Sequence, residues 1–447
     1  MAPRVQRGPE YSREDTREST HGLKLPTTPA EARRWIRRHL SGSGQVAVGL
    51  WPMAETSRRI SGIDAARGIA LLGMMAAHVF PLWDAGATAE PNVVGLVFSG
   101  RSSALFAVLA GIGLALLTGG SRPHTGRDLM ADRTAITARA ALIGLVGMLL
   151  GYLSVSIAII MVHYAVLFLC ALPFLHLRLR VLAAWAAGWL VLSPVLAFVL
   201  RPWALENVRP AGVLEHNVVI EDFFTPAALL SDLFLTGFYP VLQWLSYILI
   251  GLAIGRLNLL RTTIQLRLLA GGIAAAVSAK AASWFVMGQL GGYEQVTATD
   301  AAQRPDFDVI YQVNLGWIEQ EDSWWWLGSS SPHAGSSLDL LHTSGTAAIV
   351  LAVCLLLAGR LPGLLLPLSG AGAMTLSLYS AHVWTMSWVD AIPGVPDGVL
   401  YWSQVIIVLA LGAVFAAFQW RGPLESMTST LSKFTRDGIR GGSIRHR

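Results

Sequence analysis

Three polar residues interrupt one apolar stretch, and their types and spacing could do chemistry together. The stretch reads SGIDAARGIALLGMMAAHVFPLW and carries Asp64, Arg67 and His78. On a helix the eleven steps from Arg67 to His78 turn through roughly 1100°, about 20° past three full turns, so both side chains share one stripe, roughly 16 Å apart along the axis. Asp64 stands three residues before Arg67, a spacing at which helical side chains touch, and an ion pair there would hold the guanidinium in place. An imidazole can take a proton from a hydroxyl or amine near neutral pH, as a general base. A guanidinium is a permanently charged planar fork suited to phosphate or to polarising a carbonyl oxygen. The plainer readings stay open beside these: His78 as a hydrogen-bonded core residue, and Arg67 as an interfacial anchor.

Other polar residues in apolar surroundings also need a reason, since a charge at bilayer depth costs about 3 kcal/mol. Arg101 and Ser102 open a second apolar run, where they could hold an anionic acceptor group or anchor the interface. Tyr239, Pro240, Gln243, Trp244 and Tyr247 form a proline-interrupted aromatic segment that could line a cavity or belong to an aromatic belt. His163 and Tyr164 suit a helix-to-helix hydrogen bond. His333, His342 and His382 could converge with His78 on an acceptor pocket, while Lys280 takes no assigned role. The run Trp324, Trp325, Trp326 reads as a headgroup anchor or a stacking platform for sugar rings. Gly111, Gly113, Gly144, Gly147, Gly370 and Gly372 read as helix packing contacts. A glycine-rich nucleotide loop, a nucleophile elbow and a metal-binding histidine pair do not occur at the required spacing, so no metal is expected.

Such side chains need a scaffold, and the composition states which kind. With 53% hydrophobic and 14% charged residues over 447 positions, the chain is too apolar for a set of soluble domains. Apolar runs of about 20 residues, the length that crosses a bilayer core, fall near 63–83, 102–119, 135–154, 157–175, 181–200, 239–257, 266–288, 338–358, 363–389 and 399–419. The expectation is an all-α polytopic membrane protein, about ten transmembrane helices around a central cavity. Ten spans put every arginine-rich connection on one face: Arg33 to Arg59, Arg122 to Arg133, Arg178 and Arg180, Arg256 to Arg267, Arg360, and Arg421 to Arg447. That face is cytoplasmic by the positive-inside rule. The opposite face receives the long acidic segment 289–337, an extracytoplasmic loop in which seven carboxylates from Glu294 to Asp322 face the single Arg304. Both termini are then cytoplasmic, a disordered basic tail over 1–58 and a basic tail over 423–447, flanking a membrane domain over 59–422. The net charge of +5 reflects this topology and not a nucleic-acid surface. Cys170 and Cys354 both lie in apolar runs and say nothing of compartment.

Arg67, ten residues, then His78 resembles the signature of the integral-membrane acyltransferase-3 family. The surrounding GIDAARGIALLGM is similar to the heparan-α-glucosaminide N-acetyltransferase-like family and its bacterial YeiB-like relatives. Further blocks resemble the same group: FSGRSSALFAVLAGIGLAL, HYAVLFLCALPFL, LTGFYPVLQWLSYILIGLAIGRLNL, SPHAGSSLDLLHTSG, SGAGAMTLSLYSAHV and RGPLE, in order from about Arg59 to Leu431. The resemblance implies acyl transfer from cytosolic acyl-CoA, acetyl-CoA above all, to a sugar, amino sugar or glycolipid on the far side of a cell membrane. It assigns His78 and Arg67 to catalysis with Asp64 beside them, Arg67 also to the donor, and it leaves a homodimer open. Arg101, Ser102, Tyr239, His333 and His382 are the candidate acceptor contacts. One departure stands out: lysosomal members place Asn where this chain has His78 and carry their own histidine in the following loop, where this chain reads WDAGATAE. The rival class is a multi-pass transporter or lipid flippase, against which no internal repeat is visible.

Overall fold

The computed structural model describes residues 60–84, 89–208, 216–389 and 394–441. The tail expected over 1–58 and residues 442–447 lie outside the described residues. Its principal helices are α1 Ser61–Val79, α2 Arg101–Leu117, α3 Gly126–Gly151, α4 Met161–Ala171, α5 Leu179–Asn207, α6 Val241–Gly255, α7 Thr262–Trp284, α8 Ser337–Arg360, α9 Leu366–Gly372, α10 Thr375–Val389, α11 Asp397–Ala417 and α12 Pro423–Gly441. Helices are what the apolar runs must form, because a lipid-facing backbone has to satisfy its N–H and C=O groups within the segment. A two-residue antiparallel pair, Trp83–Asp84 with Glu90–Pro91, follows α1.

Among the described residues, six segments are long and apolar enough to cross a membrane: Val93–Leu117, Gly126–Gly151, Leu179–Asn207, Thr262–Gln289, Ser337–Arg360 and Asp397–Ala417. A seventh arises if Pro226–Thr236 and Val241–Gly255, bent by 53° at their break, count as one span. The chain is thus a helical membrane protein with fewer self-evident spans than the ten expected. The shortfall falls on 63–83, 157–175 and 363–389. These are helical, but α1 carries three polar residues, Met161–Phe174 is short, and the last divides into α9 and α10. Position explains the first of these. Thirteen of the nineteen residues of α1 are buried, and it packs against α2, α8, α9 and α11. A helix walled by protein needs neither continuous apolarity nor unbroken length.

Packing between these helices rests on close approach, since lipid supplies no hydrophobic drive between them. A Cβ on Gly111 of α2 would strike the Ile248 carbonyl of α6, and one on Gly251 would strike the Val108 carbonyl in return. Gly372 likewise abuts the Asp64 carbonyl of α1, and Gly370 the backbone of Gly412. Gly113 has a different use, because a Cβ there would sit 2.9 Å from Nη2 of Arg67.

The segment expected as a loop over 289–337 is a folded cap. Short helices at Gly292–Thr297 and Phe307–Val313 and single turns at Leu315–Trp317 and Trp324–Gly328 enclose a second apolar core, built on Val296, Phe307, Ile310, Leu315 and Trp326. The tryptophan run is therefore split in role. Trp326 is fully buried and its indole N–H donates to the Glu321 carbonyl at 2.8 Å, whereas Trp324 is exposed. The basic tail contributes α12, which lies along α3, with Arg436 2.8 Å from the buried Asp132 and Arg440 2.7 Å from Asp128.

Candidate active site

The last turn of α1 carries His78 to a cavity of about 410 Å³ lined by both the bundle and the cap. Three of the expected acceptor contacts share its wall: Ser102 from the start of α2, Tyr239 before α6, and His333 from the cap. The Tyr239 hydroxyl donates to the Ala158 carbonyl at 3.3 Å. His333 stacks on Trp244 with ring centroids 6.4 Å apart and planes 25° apart. Burial holds its pKa down at about 4, so a neutral imidazole faces the cavity. Its φ of +60° lies in the left-handed region, a strained setting for a residue with a Cβ.

The remaining candidates lie elsewhere. Arg101 does not line the cavity; its Nη1 donates to the carbonyls of Leu96 at 2.7 Å and Ser99 at 3.4 Å, closing the turn ahead of α2. His382 on α10 is also off the cavity wall and only 3% exposed, and it meets His78 directly. Nδ1 of His78 and Nε2 of His382 are 3.1 Å apart, with the ring planes 10° apart. The other nitrogen of His382, Nδ1, lies 2.6 Å from Oε1 of Gln404 on α11. Convergence with His78 thus holds for His382, but as a side-chain partner rather than as part of the cavity wall.

Arg67 donates from Nη1 to Oδ1 of Asp64 at 3.0 Å, the contact that the three-residue spacing predicts. The cavity touches α1 at Met74, Ala77 and His78 and comes no nearer to Arg67. His163 departs from its expected hydrogen bond: it is 3% exposed, neither ring nitrogen has a partner, and it packs edge-on against Tyr239 at 5.6 Å. His342 does bridge helices, its Nδ1 lying 3.1 Å from the Ala276 carbonyl. Lys280 donates to the Ser330 carbonyl at 3.1 Å, which ties α7 to the cap.

Two residues of the site escaped the sequence reading. Asp339, in the first turn of α8, lines the cavity, accepts from the Gly335 N–H at 3.0 Å, and keeps Oδ1 without a hydrogen-bond partner. Gln404 lies in the apolar run of α11, beside Ser403. A polar side chain near the start of an apolar helix was the available signal for both.

The arrangement is a partly exposed imidazole at a wall of aromatic rings and hydroxyls, backed by a second imidazole and an amide. It can accept a proton from a small polar group held in the cavity. A family model described as Heparan-alpha-glucosaminide N-acetyltransferase, catalytic, matches residues 59–285, just over half of the 447-residue chain. Arg67, His78, Ser102 and Tyr239 fall inside the match, while His333, Asp339, His382 and Gln404 fall beyond it. No curated protein matches the chain.

Proposed function

Because the chain belongs to the heparan-alpha-glucosaminide N-acetyltransferase catalytic family, whose activity is transfer of an acetyl group, we propose that it is a membrane-bound acyltransferase using acyl-CoA as donor and a sugar, amino sugar or glycolipid as acceptor. The observation that carries this reading is His78, which opens on a cavity while its Nδ1 is engaged by His382. In the proposed reaction the acceptor hydroxyl or amine attacks the thioester carbonyl and gives its proton to His78. The tetrahedral intermediate then collapses, the carbon–sulfur bond breaks, and the thiolate takes the proton from the imidazolium, leaving an ester or amide and a free thiol. Arg67, kept in place by Asp64 and given room by Gly113, is the proposed contact for the donor's phosphates. Ser102, Tyr239, His333 and the missed Asp339 are the proposed acceptor contacts.

We further propose that the three helical stretches at 63–83, 157–175 and 363–389 cross the bilayer with the others, in the cell membrane, with both termini cytoplasmic and the cap outside. The separation of a basic end from an acidic cap supports this. One observation favours a carrier instead: the bent pair Pro226–Thr236 and Val241–Gly255 borders the cavity, as broken helices do in transporters. Purified protein in detergent, given labelled acetyl-CoA and an amino sugar or glycolipid, separates the two. Transfer of label that falls at least about 100-fold in His78→Ala, with folding intact, supports the enzyme. No transfer, together with substrate counterflow in vesicles, supports the carrier and removes the enzymatic reading.

A further inference from the structure

The amide oxygen of Gln404 can only accept a hydrogen bond, so the 2.6 Å contact requires the proton on Nδ1 of His382. A neutral imidazole carries one proton, and Nε2 of His382 is therefore left with a lone pair. The 3.1 Å contact to Nδ1 of His78 must then be donated by His78. That leaves Nε2 of His78 bare, on a ring that lines the cavity. With the amide oxygen facing His382, four links lead from α11 to the unprotonated nitrogen of His78.

We propose that His382 and Gln404 are positioning residues that hold His78 in the tautomer protonated on Nδ1, presenting Nε2 as the proton acceptor for the polar group bound in the cavity. The inference rests on His78 as general base and adds what makes it one. Orientation by a second group is how an imidazole is readied for proton transfer elsewhere: the partner on one nitrogen decides the state of the other. The near-parallel rings, 10° apart, fix the imidazole plane as well as its proton. Gln404 is 8% exposed and its Nε2 has no hydrogen-bond partner, so the amide is kept at the cost of one orphaned donor. A leucine would fill that place with no donor orphaned. Gluing α1, α10 and α11 together would not by itself require an acceptor at this position.

The test is spectroscopic first. Protein labelled with 15N-histidine, its His78 and His382 resonances identified by substitution, should show His78 as a single form with Nδ1 protonated and Nε2 free. Gln404→Leu should turn this into a mixture. Gln404→Glu, which still accepts from His382, should restore the single form. If transfer is assayed beside this, Gln404→Leu should lower kcat at least about 10-fold with little change in KM, and Gln404→Glu should recover most of it. A wild-type His78 protonated on Nε2, or a Gln404→Leu spectrum unchanged from wild type, overturns the proposal. The expected tautomers in a protein that transfers no acyl group uphold the arrangement and refute the acyltransferase reading. Full transfer with the opposite tautomer does the reverse.

Discussion

An imidazole that faces a cavity from the end of a buried helix is useful only if its surroundings decide where its proton sits. At this site the decision depends on residues 304 and 22 positions apart in the chain, the separations from His78 to His382 and from His382 to Gln404. No spacing rule reaches that far. The Asp64–Arg67 pair was legible because helix geometry alone fixes it, and the same rule put His78 on the stripe of Arg67. Arg101 shows the limit: its place at the start of α2 was readable, but not that its guanidinium turns back onto the Leu96 carbonyl. His333 was legible as a candidate but not its surroundings, which can be tested by pH. Its pKa is about 4 in the folded protein against an ordinary 6.5. As pH falls from 6.5 towards 4 the unfolded chain therefore takes up a proton that the folded chain refuses, and stability drops across that window. Above it the residue makes no difference. His333→Asn keeps a residue tolerant of φ near +60° and removes the titration. Its melting temperature in detergent should fall less than that of wild type between pH 6.5 and 4.5. Parallel curves would show that His333 is not held neutral by burial.

Helices were the readable scale. Length and continuous apolarity mark a span, so six or seven segments announced themselves, while α1 with its polar residues, the short α4 and the divided α9–α10 pair did not satisfy the same measure. The internal fold of the acidic segment was not legible because its short helices owe their stability to a shared core around Trp326 and not to their own length. The order of α12 depends likewise on tertiary partners. Its Glu425 reaches across to the start of α10, where its carboxylate accepts from the N–H groups of Leu376 at 2.7 Å and Ser377 at 3.2 Å and from the Ser377 hydroxyl at 2.5 Å. A carboxylate at a helix N-terminus satisfies orphaned donors and complements the positive end of the dipole. Since α10 carries His382, this contact from the C-terminal helix seats a residue of the site. Glu425→Ala should cost about 1–2 kcal/mol and lower the melting temperature by a few degrees, with Glu425→Gln recovering part of the loss. An unchanged melting temperature in Glu425→Ala would mean that the bond caps nothing.

For the whole molecule, the question is which end faces which compartment, and one buried side chain bears on it. Arg256, only 4% exposed, donates to the carbonyls of Ala115 at 3.0 Å, Gly120 at 2.8 Å and Leu175. It thereby draws together the ends of α2, of the Leu172–Phe174 turn after α4, and of α6, three connections rich in arginine. Ion pairs from Arg436 and Arg440 bring α12 to the same end of α3. The cap carries the acidic residues and shares the cavity wall with His78. In the proposed orientation the arginine-rich end lies in the cytoplasm, and an acceptor would reach His78 from outside the cell. In a Cys170→Ala background, where Cys354 is buried, single cysteines at the exposed positions Gln295 of the cap and Lys433 of α12 report the two faces. An impermeant maleimide should label Gln295→Cys on intact cells and Lys433→Cys only after permeabilisation. The opposite pattern would invert the protein, placing the cavity and His78 on the cytoplasmic side, and acceptor and donor would then meet without any group crossing the membrane.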